Sequence, residues 1–385
     1  MQRRSFLRVA AGGVIAAAVV PLAACSSALP EEAIAAWHGP IEETDPRRWM
    51  LAHAILAPHS HNLQSWLVDL SVPDEITLHV DRARLLPETD PFSRQMMMSQ
   101  GTFLELLDQA ARQRGQRADI ALFPNGAFPA TSVDGRPTAR VRLRVDPLVR
   151  PDPLFAQVFR RHTNRQPYEP RLPAADALQS IVRSTQSPGL HAGITMPDDA
   201  GAIAQQRQIA KDAWRIEVTT ARTMLESLKV LRIGPREIAR HRDGLTANEP
   251  MLRVIDALGL FDRTRAPASD SFATKVQIDD FDRAIDSTQA FYWLITDDND
   301  RATQVNAGRA WVRAQLAATA AGLSMQPLSQ ALQEYPEMQA PYGAIHELLG
   351  ASASGKTMQM WARLGYGPAV GPSPRRGLDA HIQRI

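Results

Sequence analysis

Two paired arginines mark places where this chain could hold an oxyanion. One lies in Phe159-Arg160-Arg161-His162-Thr163-Asn164-Arg165, the other in Ser373-Pro374-Arg375-Arg376. A guanidinium fork matches phosphate oxygens, and Thr and Asn side chains add neutral donors. Two such pairs could close on one phosphate, although the first motif taken alone fits a solvated basic surface better. A third pattern, Gly350-Ala351-Ser352-Ala353-Ser354-Gly355-Lys356-Thr357, matches the G-x-x-x-x-G-K-[ST] phosphate loop. That loop needs a strand before it and a helix after it. Here a helix end precedes and a strand-like run follows, so a flexible Ala/Ser/Gly turn is expected. His53, His59 and His61 are close enough to suggest metal ligands. No second cluster adds ligands at a telling spacing, and no metal site is expected.

These side chains need elements to position them. Residues 47–56 read as a short helix ended by Ala57-Pro58. Residues 65–70 and 76–80 read as strands joined by a Pro-Asp turn. Residues 96–114 have helical periodicity, and Val141, Leu143 and Val145 alternate with Arg142 and Arg144 as in a half-buried strand. A helix is expected at 154–160 and a long one near 202–228, followed by a polar, Arg-rich stretch to about 280. Residues 290–296 (AFYWLIT) read as a buried strand, 306–321 as a helix and 357–364 as a strand. Two apolar helices, 101–115 and 308–322, are each bracketed by glycines 14 residues apart, a faint internal repeat.

The composition bounds the class. The chain has 385 residues, is 44% apolar, 22% charged and 6% aromatic, and is therefore an ordinary globular protein rather than a disordered, collagenous or polytopic one. One cysteine excludes an internal disulfide framework and an all-cysteine metal or iron–sulfur site. The formal charge is +2. Such a balance argues against nucleic acid as a partner.

The chain opens MQRRSFLR, and the apolar run that follows contains Gly12, Gly13 and Pro21 and is too short to span a bilayer. Arg3-Arg4 resembles a twin-arginine export signal, and Leu22-Ala23-Ala24-Cys25 resembles a lipobox, in which the cysteine becomes the acylated first residue. The expectation is a leader over 1–24 and a tether over 25–45. The mature protein would then be a periplasmic or cell-surface lipoprotein anchored at Cys25.

Four motifs in order resemble the nitroreductase family of FMN proteins, in particular its Acg-like branch. Residues 57–66 (APHSHNLQSW) are similar to the family's A-P-S-x-x-N-x-Q-P-W loop, with His59 for Ser and Ser65 for Pro. Residues 161–165 are similar to its R-x-[ST]-x-R phosphate motif. Residues 321–327 (AGLSMQP) resemble the loop behind the flavin, and Leu364-Gly365-Tyr366 with Pro374-Arg375-Arg376 its C-terminal end.

The resemblance implies an α+β, nitroreductase-like fold with mixed sheets and central helices. In ordinary members the arginine motif precedes the loop, and a dimer shares the flavin; here the order is reversed. The implied architecture is therefore two fused half-molecules, 46–150 and 151–385, with a lid inserted near 229–280. This pseudo-dimer would be a monomer in solution, with one FMN. Pro58, Ser60, Asn62 and Gln64 would come from the first half. Arg161, His162, Thr163, Arg165, Gly322, Leu323, Arg375 and Arg376 would come from the second. Arg161, Arg375 and Arg376 would hold the phosphate with Thr163, while the Gly322 and Leu323 N–H groups would face the ring. The implied activity is hydride or electron transfer through flavin. The acceptor would be a small aromatic or quinone-like molecule, with the electron donor left open. The alternative is a flavin-binding or flavin-storage protein with little turnover.

Overall fold

The structure, a computed structural model, describes residues 28–40 and 43–384. The leader expected at 1–24 and Cys25 lie outside them. The described chain begins with a short helix α1 (Glu31–Ile34), continued by a 3-10 turn at Ala35–His38. Then come α2 (Pro46–Ala54), β1 (Trp66–Asp69), β2 (Glu75–Val80), α3 (Arg94–Gln113), β3 (Gln116–Leu122) and β4 (Ala139–Val145). Next follow α4 (Ala175–Ser184), β5 (Leu190–Thr195), α5 (Ala200–Thr219), α6 (Ala221–Lys229), β6 (Leu231–Ile233), α7 (Gly234–His241), β7 (Leu245–Ala247), α8 (Pro250–Ala257) and α9 (Phe272–Asp286). The chain closes with β8 (Ala290–Thr296), α10 (Arg301–Ala320), β9 (Ser324–Pro327), α11 (Gln339–Leu348) and β10 (Thr357–Gly365).

The class is α+β. Two four-stranded sheets run β1-β2-β4-β3 and β5-β8-β10-β9 among the described residues. Their ladders are antiparallel, and parallel pairing is confined to β6–β7 and the bridges Val68–Ile382 and Thr163–Met325. Strand for strand the two sheets have the same order. A long helix occupies the same place in both, α3 between β2 and β3, and α10 between β8 and β9.

Those two helices cross with their backbones in contact. A Cβ on Gly101 would lie 1.8 Å from the Val305 carbonyl oxygen, and one on Gly308 would lie 1.9 Å from that of Met98. Only glycine permits that approach. The closing glycines of the repeat, Gly115 and Gly322, have φ of +64° and +69° and terminate their helices. Both glycines of each pair thus do the same job. Around the crossing, Glu105 of α3 pairs with Arg309 and Arg313 of α10.

The inner strands of the second sheet, β8 and β10, are buried on both faces. Tyr292, Leu294 and Ala362 face α10, while Phe291, Ile295 and Trp361 face the core shared with Ala210 of α5 and Ile345 of α11. Double burial explains why β8 is apolar without alternation. The first sheet is covered on one face, so β4 alternates Val141 and Leu143 inward with Arg142 and Arg144 outward.

Several expectations need correction. The helix expected at 154–160 is a short 3-10 turn, Pro153–Gln157. The long helix near 202–228 is two helices, because Thr220 between them is extended (φ −81°, ψ 111°). The Arg-rich stretch contains α7, α8 and most of α9, and all residues between β5 and β8 form one inserted segment. Part of the stretch expected as a tether is packed: Ala33 and Trp37 are buried.

Candidate functional site

The loop between α2 and β1 carries three non-glycine residues in the left-handed region, His61 (φ 49°), Asn62 (φ 55°) and Gln64 (φ 54°). Each costs on the order of 1 kcal/mol or more, a strain that persists only where the surroundings enforce the conformation. Here they do. The Gln64 amide donates to the carbonyls of Arg242 (2.9 Å) and Asn62 (3.2 Å), and its Oε1 accepts from the Arg376 N–H (2.8 Å). The Asn62 amide donates to the Pro374 carbonyl (3.1 Å), and its Oδ1 accepts from Arg375. The loop is thus clamped by the C-terminal arginine pair. Ser60 is held from α3, its N–H donating to Ser99 Oγ and its hydroxyl to Gln95 Oε1. The Pro58 carbonyl accepts from the Thr102 hydroxyl.

Residues 161–165 run beside β9, with Thr163 bridged to Met325. Within this segment Arg161 is buried and Arg165 exposed, so the two arginines of the motif have different surroundings. Asn164 donates to Ser324 Oγ (3.1 Å) and the Pro368 carbonyl (2.7 Å).

Arg161 and Arg375 come together although 214 residues separate them. They are only 3% and 2% exposed. Arg161 donates to Gln315 Oε1 (3.2 Å) and the Leu56 carbonyl (3.1 Å). Arg375 donates to Asn62 Oδ1, Ser373 Oγ and the carbonyls of Pro374 and Ala57. Neither forms an ion pair among the described residues, and the Nε–H of each is buried without a partner there. Burial pushes Arg161 down to about 10 and Arg375 well below its usual value, the latter also through repulsion by Arg161. Trp37 covers the pair, its ring 5.9 Å from the guanidinium carbon of Arg161 and 5.2 Å from that of Arg375. Its indole N–H donates to the Ser373 carbonyl (2.8 Å). His162 meets Trp37 edge-on, and burial beside the two arginines pushes it down to about 4.

Two buried cations without a counter-charge are costly, since an unpaired ion in the interior is uncompensated. A phosphate monoester meets what is missing here: two negative charges and acceptors for two orphaned N–H groups. The residues present fit such a group.

Arg165 belongs to a different part of the site. It is exposed, and desolvation by the surrounding protein lowers its pKa. It makes no ion pair among the described residues, and its charge helps to hold His61 down at about 4, after burial. Arg376 donates to the Gln64 carbonyl and sits near Arg84 and Asp243; burial pushes it down to about 10. It braces the loop and does not join the Arg161–Arg375 pair.

The resemblance gives Gly322 and Leu323 a place facing the ring through their N–H groups, and in this structure those groups are engaged within the chain. Their N–H groups donate to Thr319 (3.0 Å) and Ala318 (2.8 Å), closing the C-terminus of α10, and Leu323 is in the core. They are helix-ending residues with no free donors. His53 packs on Trp49, Phe155 and Phe159, His59 on Trp66, and His61 lies beside the Ser60 hydroxyl (3.2 Å), so the three nearby histidines serve different surroundings. The phosphate-loop match lies between α11 and β10.

Two contributors escape sequence reading. Trp37 follows a short Ala-Ile-Ala-Ala run, and nothing local connects it with arginines more than a hundred residues away. Residues 242–244 of the inserted segment cap the loop: the Gly244 N–H donates to the Asn62 carbonyl (3.1 Å), and Asp243 pairs with Arg84 and Arg232. Their only signal is an Asp-Gly turn.

No family model matches the chain. The chain is similar to nitroreductases. It is 24% identical over 347 residues to a putative NAD(P)H nitroreductase, acg, of Mycobacterium tuberculosis, covering 87% of this chain and 95% of that one. It is 27% identical over 367 residues to a second putative NAD(P)H nitroreductase of the same organism, covering 90% and 93%. Among solved structures, an FMN-dependent nitroreductase from Mycobacterium smegmatis in complex with NADPH aligns at 16% identity and TM-score 0.33, over 57% of this chain and 92% of that one. A nitroreductase with bound FMN from Desulfitobacterium hafniense aligns at 13% identity and TM-score 0.31, over 57% and 91%.

Proposed function

We propose that this chain is an FMN-binding oxidoreductase of the nitroreductase type, built from two fused halves that share one flavin. The observation that carries the proposal is the Arg161–Arg375 pair, buried, unpaired by any carboxylate among the described residues and capped by Trp37. The repeated strand order and the matched glycines of α3 and α10 support the fusion. The protein would be a monomer, because the interface that two subunits would otherwise form is already internal. Export by the twin-arginine route and acylation at Cys25 complete the proposal. They rest on Arg3-Arg4 and the lone cysteine.

FMN supplies hydride and electron transfer when bound. Arg161 and Arg375 would hold the phosphate through charge-assisted hydrogen bonds, with Thr163 two residues along the chain from Arg161. Asn62 and Gln64, fixed by Arg375 and Arg376, keep the strained loop rigid. Arg165 offers an exposed positive charge without a carboxylate partner among the described residues, so it favours negative charge gained beside it. The neutral state enforced on His61 and His162 keeps them from adding charge at ordinary pH. No side chain needs to act as a general acid.

A second reading is a flavin-holding protein with little turnover. It is favoured by residues 242–244, which lie over Asn62 and Gln64 and restrict approach to the loop. Reduction of the flavin-loaded protein by dithionite, followed by a nitroaromatic or a quinone, separates the two. Rapid reoxidation supports the oxidoreductase. A flavin that bleaches but ignores every acceptor supports holding, and a chain that takes up no flavin refutes both.

A further inference from the structure

Helix α8 in the inserted segment exposes its apolar face. Met251, Val254 and Leu258 are 63%, 56% and 67% exposed, and at spacings of three and four they line one side of the helix. Leu260, just beyond, is 71% exposed. A contiguous apolar face of this kind is unusual on a protein that meets only water. No helix among the described residues is long and apolar enough to cross a membrane, so the face suits a surface rather than a span.

The start of the described chain says which surface. The Ala28 carbonyl accepts a hydrogen bond from the Asn248 amide (2.9 Å), two residues before α8 begins. Contacts between α1 and α7 hold the same strand of chain against the inserted segment. Cys25 is three residues from Ala28, and three residues reach at most about 11 Å. An acyl anchor at Cys25 therefore brings the bilayer close to Ala28, and with it the start of α8.

We infer that α8 docks on the lipid surface, with Met251, Val254 and Leu258 entering the headgroup–acyl boundary beside the anchor. A short apolar face laid in the interface is a known mode of peripheral membrane contact. Acyl chains alone would leave the protein free to swivel. Anchor and helix together fix its orientation and hold the inserted segment toward the membrane. The inference rests on acylation of Cys25.

The test uses full-length protein in vesicles of phosphatidylethanolamine and phosphatidylglycerol. An environment-sensitive fluorophore is attached at Val254→Cys and, as a control, at exposed Gln179→Cys on α4. Docking predicts a blue-shifted spectrum and quenching by doxyl-labelled lipids at 254, and at least a tenfold weaker response at 179. Equal, water-like spectra at both sites in acylated, vesicle-bound protein overturn the docking alone. Protein whose intact mass carries no acyl chains overturns the anchor reading and the docking with it. Concentration-dependent dimers that disappear on Leu258→Ser would assign the face to a second copy and also overturn the inference.

Discussion

Replacing Arg161 with methionine separates a phosphate site from a structural arginine. In an ordinary buried ion pair, removing one partner costs about 3–5 kcal/mol because the other charge is stranded. Arg161 has no such partner among the described residues; it gives up hydrogen bonds to Gln315 Oε1 and the Leu56 carbonyl. Two ordinary hydrogen bonds are worth about 0.5–1.5 kcal/mol each, and removal of a desolvated charge beside Arg375 offsets them. The flavin-free variant should therefore unfold within about 1 kcal/mol of the parent. FMN binding should suffer far more. A lost charge-assisted bond of about 1.5–3 kcal/mol is roughly a ten- to hundredfold loss of affinity. Riboflavin, which has no phosphate, should bind parent and variant alike. The assay is flavin fluorescence titration on apoprotein, with urea unfolding alongside. Unchanged FMN affinity, or an equal loss for riboflavin, would refute the assignment of Arg161 to the phosphate.

Gly308→Ala should destabilise the protein by about 1–3 kcal/mol or more, because the two central helices must part to admit a methyl group. Gly343→Ala in α11, where nothing lies within 4 Å, should be neutral or stabilising in the same unfolding assay. Glu217 of α5 is held by burial at about 7, above its ordinary 4.5, so the folded state binds more protons than the unfolded state between those values. Stability from this group therefore falls as pH rises through that window. Glu217→Gln should gain stability relative to the parent from pH 5 to pH 8, and parallel pH profiles would contradict it. The buried His162 acts in the opposite sense: its contribution is lost as pH falls from 6.5 toward about 4.

How much of this was legible in the sequence follows from how local each signal is. Strand β8 and the alternation of β4 could be read because burial on two faces or one dictates their residue pattern. Strand β3 was not read, since it is only partly buried along its length and carries no clear period. The glycine-bracketed helices looked like a faint repeat, and only the crossing shows why Gly101 and Gly308 must be glycine. At the site, Arg161 and Arg375 are legible as motif members, but the lack of a carboxylate partner among the described residues is a three-dimensional fact. For Gly322 and Leu323, a helix-ending Gly-Leu pair and a ring-facing backbone pair are the same letters, and only the structure shows their N–H groups bonded to the Thr319 and Ala318 carbonyls. Trp37 and residues 242–244 reach the site through tertiary contacts alone, from segments that read as tether and polar surface.

The account's central claim is that two fused halves share one FMN. Native mass spectrometry of the purified mature protein after incubation with FMN tests it most directly. The claim predicts a single chain carrying one FMN. Two FMN per chain, an obligate dimer, or a chain that binds none would contradict it.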